Sequence, residues 1–174
     1  VVHKGRTIFV GDTSVHEYPT SEQLAEMAIS TARVVRLFGF DPKVAFVSHS
    51  TFGQPLTSRT KHIRKAVDIL KDKNVDFQFD GDMQPDVALN SEYQELYPFS
   101  KIVGSANILI MPGQHSAAIS YKMMKTLGDT RVIGPLLIGL GLPVEIAPLR
   151  SSTSEIINLA SIAAYSADVI DYKK

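Results

Sequence analysis

Three short stretches hold the residues whose types and spacing could do chemistry. The first is "SHSTFGQP", in which Ser48, Ser50 and Thr51 precede Gly53. Hydroxyls on a flexible backbone, between a strand-like run and a helix-like one, suit a phosphate or a carboxylate. The lysine and spacing of a nucleotide-binding P-loop are missing. The plainer alternative is a turn whose hydroxyls satisfy their own backbone. The second stretch is "DGDMQPD", which crowds Asp80, Asp82 and Asp86 around Gly81 and Gln84. Close carboxylates can hold a divalent cation, or raise one another's pKa to make a base. The spacing is not that of an EF-hand. A bend at Asp80–Gly81 followed by a helix start at Gln84-Pro85-Asp86 explains the same residues, and no metal site is assigned. The third stretch is "APLRSSTSE", where Arg150 leads into hydroxyls and Ser152 and Glu155 are spaced as a capping box. A helix N-terminus of this kind also offers N–H donors and partial positive charge to an anion.

Other candidates are weaker. None of His3, His16, His49, His62 and His115 stands four residues from another, so local spacing suggests no zinc pair. Arg59, Lys61, His62, Arg64 and Lys65 form a basic cluster that could draw in a nucleotide or coenzyme A. As part of an amphipathic helix, the cluster reads more simply as a solvated face. No Ser-His-Asp order, dinucleotide fingerprint or aromatic stacking platform stands out, and no catalytic residue is assigned.

The elements that must position these residues follow from periodicity. "RTIFVGD", "KVAFVS", "VDFQF" and "ANILIMP" read as strands. "VIGPLLIGLGLPVEIA" reads as one or two more, broken by glycine and proline. Thr20 and Gln23 form a capping box before a helix that puts Leu24, Ala28, Ala32 and Val35 on one face and stops at Gly39. "TKHIRKAVDILKDK" puts Ile63, Ala66, Val67 and Leu70 on a core face. "PDVALNSEYQELY", "SAAISYKMMKTLG" and "SEIINLASIAAYSADVI" predict three further helices. In the last, Ile156, Leu159, Ala160 and Ala163 fall on the packed side. Strands alternating with helices predict an α/β fold: a mostly parallel sheet in a three-layer α/β/α arrangement. Ligands of such sheets bind at the carboxyl ends of the strands, where the loops above fall.

Composition bounds the function. Of 174 residues, 44% are hydrophobic and 21% charged, enough apolar surface for a core. Eighteen basic residues balance 18 acidic ones, which argues against a dedicated nucleic-acid or membrane-surface protein. The absence of cysteine removes disulfides, thiolate catalysis and cysteine–zinc sites. No apolar run reaches membrane-span length and no segment reads as a signal peptide, so a cytoplasmic protein is expected. The first residue is Val1, consistent with a piece of something longer.

Six motifs occur in one order: "FVGDTSVHEYPTSEQLAEMA", "VAFVSHSTFG", "DGDMQPDVALN", "PFSKIVGSANILIMP", "ISYKMM" and "IGPLLIGLGLPV". Together, from Gly5 to Ala167, they resemble the second half of the phosphate acetyl/butyryl transferase family. The resemblance is greatest to the phosphotransacetylase-like C-terminal region of bacterial NADP-dependent malic enzymes. It implies a fold like the isocitrate and isopropylmalate dehydrogenases, with residues 1–174 as the second of two subdomains flanking a cleft. The first subdomain and a malic enzyme part would be separate partners. NADP and a divalent metal (Mg or Mn) would serve that part, and none is expected in this chain.

Family members carry a Ser-Arg pair and then an aspartate after "P-V". Here those positions hold Pro148, Leu149 and Glu155, with Arg150 one residue out of register. Leu56 stands at an expected lysine, His115 at a glutamate and Ala118 at an asparagine. Uncharged residues cannot stabilise a charged phosphate transition state. The resemblance therefore implies a non-catalytic regulatory domain that forms a homo-oligomer and binds acetyl-CoA or another acyl-CoA. The ligand would lie by Ser48, Ser50, Thr51, Gly53, Asp80, Gly81, Asp82, Gln84, Arg150 and Glu155. The alternatives are an active acyltransferase with a shifted Arg150, and a purely structural assembly domain.

Overall fold

The computed structural model describes residues 1–12 and 14–169. A small antiparallel hairpin comes first, β1 (Val2–His3) with β2 (Arg6–Thr7). The main sheet follows: β3 (Phe9–Gly11), β4 (Lys43–Val47), β5 (Gln78–Met83) and β6 (Ile108–Ile110). Its spatial order is β3-β6-β4-β5 and all its pairings are parallel. In register, Val44, Ala45 and Phe46 stand opposite Ile108, Leu109 and Ile110.

Successive strand residues point to opposite sides, and both sides are covered. On one side, Val44, Phe46, Ile108 and Ile110 meet two helices, α1 (Ser21–Leu37) and α2 (Ser58–Asp72). Leu24, Ala28, Ala32 and Val35 of α1 are buried there, with Ile63, Ala66, Val67 and Leu70 of α2. On the other side, Ala45, Val47, Met83 and Leu109 meet α3 (Pro85–Leu89), α5 (Gln114–Leu127) and the segment 97–106. The fold is therefore α/β/α. Each fully buried aliphatic or aromatic side chain contributes on the order of 1.5–3 kcal/mol, so the double layer holds the strand ends rigidly.

The predicted start of α1 holds, and α2 begins at Ser58, two residues before the expected Thr60. Thr20 accepts from the Gln23 N–H while the Gln23 side chain accepts from the Thr20 N–H, a complete capping box. Thr57 and Thr60 cap α2 in the same way.

Four expectations change. Asp80 to Met83 are not a turn after the strand but part of β5, and all four are buried. The single helix expected after Pro85 is two, α3 and α4 (Ser91–Gln94), because Asn90 leaves the helical region and caps the second. The strands expected over residues 132–147 do not form. Only isolated bridges are made, Leu136–Glu145 within the segment and Val2–Arg131 just before it. Last, α6 (Thr153–Val169) buries only Leu159, while Ile156 and Ala160 are exposed. It is tied at both ends: Glu155 in its first turn pairs with Lys125 of α5, and at the far end the Tyr165 hydroxyl donates to the Leu37 carbonyl at 2.9 Å while its ring stacks on Phe38. The predicted helix end at Ile170 lies outside the described residues.

Candidate functional site

The chain leaves β4 at Val47 and turns tightly. Phe52 and Gly53 both adopt the left-handed conformation, with φ of 49° and 81°, and Thr51 and Gln54 pair across them. That is a two-residue turn with positive φ at both centres, which glycine accepts without strain. The turn is tied to β5. The Phe52 N–H donates to the Asp82 carbonyl at 2.6 Å and the Ser48 N–H to the Met83 carbonyl at 2.9 Å.

Inside the turn lies a buried polar cluster. The Ser50 hydroxyl donates to Asp82 Oδ2 in a short hydrogen bond, and neither residue has measurable exposure. The Ser50 N–H donates to Ser48 Oγ at 3.3 Å. Asp82 Oδ1 has no hydrogen-bond partner; its nearest cation is Arg64 of α2, with Nη1 3.8 Å away. Thr51 Oγ1 accepts the Gln84 N–H at 3.2 Å, and the Gln84 amide donates to the His49 carbonyl at 2.8 Å. Six of the ten predicted residues thus gather here: Ser48, Ser50, Thr51, Gly53, Asp82 and Gln84. Their hydroxyls are spent on one another, which favours the self-satisfied turn over direct ligand contact.

Asp80 does not join them. The β4–β5 register shifts between Phe46 and Val47, so Met83 rather than Asp82 pairs with Val47. The shift leaves Asp80 in register opposite Ala45, where it accepts the Lys101 N–H at 2.7 Å and the Gly81 N–H at 2.9 Å, and takes Asp82 out of the ladder toward Ser50 and Arg64. The two carboxylates therefore make no common site. Gly81 lets the strands close: a Cβ there would sit 2.7 Å from Phe46 Cβ and 2.8 Å from its carbonyl oxygen. Among the described residues no three His, Asp or Glu are placed to hold a metal ion.

Arg150 and Glu155 are also elsewhere. Arg150 is exposed and makes no hydrogen bond or ion pair among the described residues. Glu155 completes the predicted capping box, accepting the Ser152 N–H at 2.7 Å while its own N–H donates to Ser152 Oγ at 3.3 Å. Its carboxyl also pairs with Lys125 Nζ at 2.7 Å. The Lys125 ammonium, with Ser152, pulls the Glu155 pKa down to about 2. The loop "APLRSSTSE" is a helix start.

Sequence reasoning set two residues aside and missed a third. A hollow of about 550 Å³ opens between the 52–56 turn and α2, walled by Phe52, Leu56, Lys61, Arg64 and Lys65. Arg64 and Lys61, read from sequence as a solvated face, line it. Their spacing of three along α2 was the available signal. Third is Asp12 at the end of β3, in the Asp-x-x-x-His spacing of "DTSVH". It accepts the N–H groups of Ser14, Val15 and His16 at 3.1, 2.7 and 2.9 Å, and pairs with the His16 ring. Burial opposes its ionisation, but those donors hold its carboxyl below the ordinary value. Asp12 and His16 line a second, largely apolar hollow of about 630 Å³ beside α1 and residues 132–138. The remaining histidines are structural or exposed. His62 Nε2 lies 2.8 Å from the Pro19 carbonyl oxygen and its Nδ1 lies 3.0 Å from Ser21 Oγ, which joins α2 to α1. His49 and His115 are exposed.

A parallel sheet between helical layers, with a polar cluster at the carboxyl ends of adjacent strands, defines an α/β/α domain of the class whose ligands generally bind at the strand ends. Residues 1–164 match the Phosphate acetyl/butaryl transferase family, and the chain belongs to it. It is 49% identical over 164 residues to the NADP-dependent malic enzyme of Rhizobium meliloti (strain 1021), a match covering 94% of this chain and 22% of that protein. It is 33% identical to the phosphate acetyltransferase of Bacillus subtilis (strain 168), covering 96% of this chain and 52% of that one. Its fold superposes on the EutD phosphotransacetylase from Staphylococcus aureus with a TM-score of 0.86 at 29% identity, over 95% of this chain and 52% of that one. The chain thus spans about half the length of these two phosphotransacetylases and about a fifth of the malic enzyme. No described helix is long and apolar enough to cross a membrane.

Proposed function

We propose that this chain is the phosphotransacetylase-like regulatory and assembly domain of an NADP-dependent malic enzyme acting in the cytoplasm. It performs no acyl transfer itself, and it takes acetyl-CoA or a related acyl-CoA as effector. Oxidation and decarboxylation of malate, with NADP and Mg²⁺ or Mn²⁺, belong to the rest of such an enzyme. The observation that carries this reading is the 148–150 turn. Where family chemistry requires a hydroxyl and a guanidinium, Pro148 and Leu149 are exposed and uncharged, and Arg150 points to no partner. Electrostatic stabilisation of a transferring group needs charge held in a preorganised, water-poor place, and that turn offers none. The 49% identity to a malic enzyme supports the parentage. Support for assembly comes from the apolar side chains left open on the 138–157 surface, Leu140, Leu142, Ile146 and Ile157 among them.

The test is calorimetric titration of acetyl-CoA into the full-length protein, followed by malate turnover with and without it. Saturable binding and altered turnover are expected. No binding at millimolar ligand would remove the effector and leave a scaffold. Acetyl phosphate–coenzyme A exchange abolished by Arg150→Ala would establish the acyltransferase instead.

A further inference from the structure

We infer that the hollow between the 52–56 turn and α2 is a phosphate-binding subsite whose ligand is a phosphate ester carrying a flat or apolar body. This deepens the effector reading above by naming the groups that would hold the phosphate, and it moves the contact from the serine hydroxyls to α2.

Charge comes first. Three cations wall the hollow, with Asp68 as the only acid. Lys65 is already paired with Glu22 at 2.9 Å, and Asp68 with Lys71 at 2.6 Å. The Lys61 side chain makes no hydrogen bond or ion pair among the described residues; its backbone N–H donates to the Thr57 carbonyl at 3.0 Å. Arg64 has only the long contact to Asp82 and is 45% exposed, open to the hollow. Two cations therefore remain for an anion, three residues apart on one helix face.

Arg64 is also held in place. Its Nη1 lies where a side chain on residue 53 would crowd it, 3.0 Å from a Cβ built on Gly53. Behind it is the buried Asp82, whose unpartnered Oδ1 faces the guanidinium at 3.8 Å. Ser50 fixes the other oxygen. A buried carboxylate with one oxygen unmatched is costly unless a cation stays near. Asp82 thus acts as a positioning residue: it anchors one edge of Arg64 and leaves the remaining donors to a ligand. Guanidinium with ammonium suits a phosphate's several oxygens. Phe52 and Leu56 supply the opposite wall, and Leu56 is 57% exposed. That apolar wall would take the organic body of the ester, as a nucleotide base or pantetheine arm requires.

The experiment titrates ADP, inorganic pyrophosphate and acetyl-CoA separately into the full-length protein and its variants. Saturable binding of ADP and pyrophosphate is expected. Lys61→Gln and Arg64→Gln should each weaken both by about tenfold or more, the effect of losing one charge-assisted contact. Arg150→Gln should leave both unchanged. Lys61 has no partner to lose, so its variant isolates binding from folding. No saturable binding of either probe to the wild type overturns the subsite, as does unchanged affinity in Lys61→Gln and Arg64→Gln. Binding of ADP and pyrophosphate without acetyl-CoA would retain the subsite and defeat the effector. Acetyl-CoA binding that neither α2 variant weakens would retain the effector and defeat the subsite.

Discussion

Removing Ser50 should damage the protein more than neutralising Asp82, although each change breaks the same hydrogen bond. Both side chains are fully buried. In Ser50→Ala the carboxylate keeps its charge and loses its only side-chain donor. Arg64, at 3.8 Å and half exposed, contributes at most about 1 kcal/mol as a screened pair. A hydrogen bond to a charged group is worth about 1.5–3 kcal/mol, and stranding a buried charge lies at the top of that range or beyond. The expected loss is about 3 kcal/mol. In Asp82→Asn the amide oxygen still accepts from Ser50. The costs are a weaker neutral hydrogen bond and a buried NH2 group without an acceptor, partly offset by not burying a charge. About 1–2 kcal/mol is expected. Urea unfolding of the two variants, followed by circular dichroism, measures the difference in midpoint at unchanged slope. If Asp82→Asn proves the more damaging, or both fall within about 0.5 kcal/mol of wild type, the carboxylate is not held as described here.

Gly81→Ala should cost about 1–3 kcal/mol or more by pushing β5 off Phe46, seen as a lowered urea midpoint; a neutral result would mean that the strands are farther apart. Phe46→Ala, emptying the centre of the α1–α2 side, should cost about 3–5 kcal/mol by the same assay. Glu155 is ionised more readily in the folded state, since its pKa falls from 4.5 to about 2. Its contribution is therefore full above about pH 4.5 and disappears as pH falls toward 2. The stability gap between wild type and Glu155→Gln should close over that window, and a gap independent of pH would contradict the Lys125 pairing. Asp12 behaves in the same sense: its depressed pKa predicts a stabilising effect above its ordinary value of 3.8 that is lost on acidification. Asp12→Asn should reduce that acid sensitivity in a pH-resolved thermal melt.

Much of the scaffold is legible in the chain because it rests on local rules. The capping boxes at Thr20–Gln23 and Ser152–Glu155 need only a hydroxyl and a partner three residues on, and both form. The buried faces of α1 and α2 follow from helical spacing. The 132–147 segment shows where local rules stop. Its apolar pattern fits strands, but a strand exists only when a neighbour takes its N–H and carbonyl groups. Among the described residues only the Leu136–Glu145 bridge does so. The same lack of a partner leaves Ile156 and Ile157 of α6 exposed.

The site divides along the same line. Residue types and spacing marked Ser48, Ser50, Thr51 and Gly53 as a phosphate-suited loop or a turn at a strand end, and the family resemblance, not the spacing, pointed to the missing Ser-Arg pair. Asp80 and Asp82, two residues apart, look alike in the chain. A one-residue register shift beside Val47 separates them, sending one to Lys101 and the other to Ser50. Arg64 looks like one solvated cation among five. Only the packing of α2 against the 52–56 turn brings it to within 3.8 Å of the buried Asp82. Local sequence determines which segments are strands, helices and turns, because backbone hydrogen bonds and side-chain periodicity act over a few residues. Which charges meet is decided by the tertiary structure, because strand register and helix packing join residues that nothing local connects.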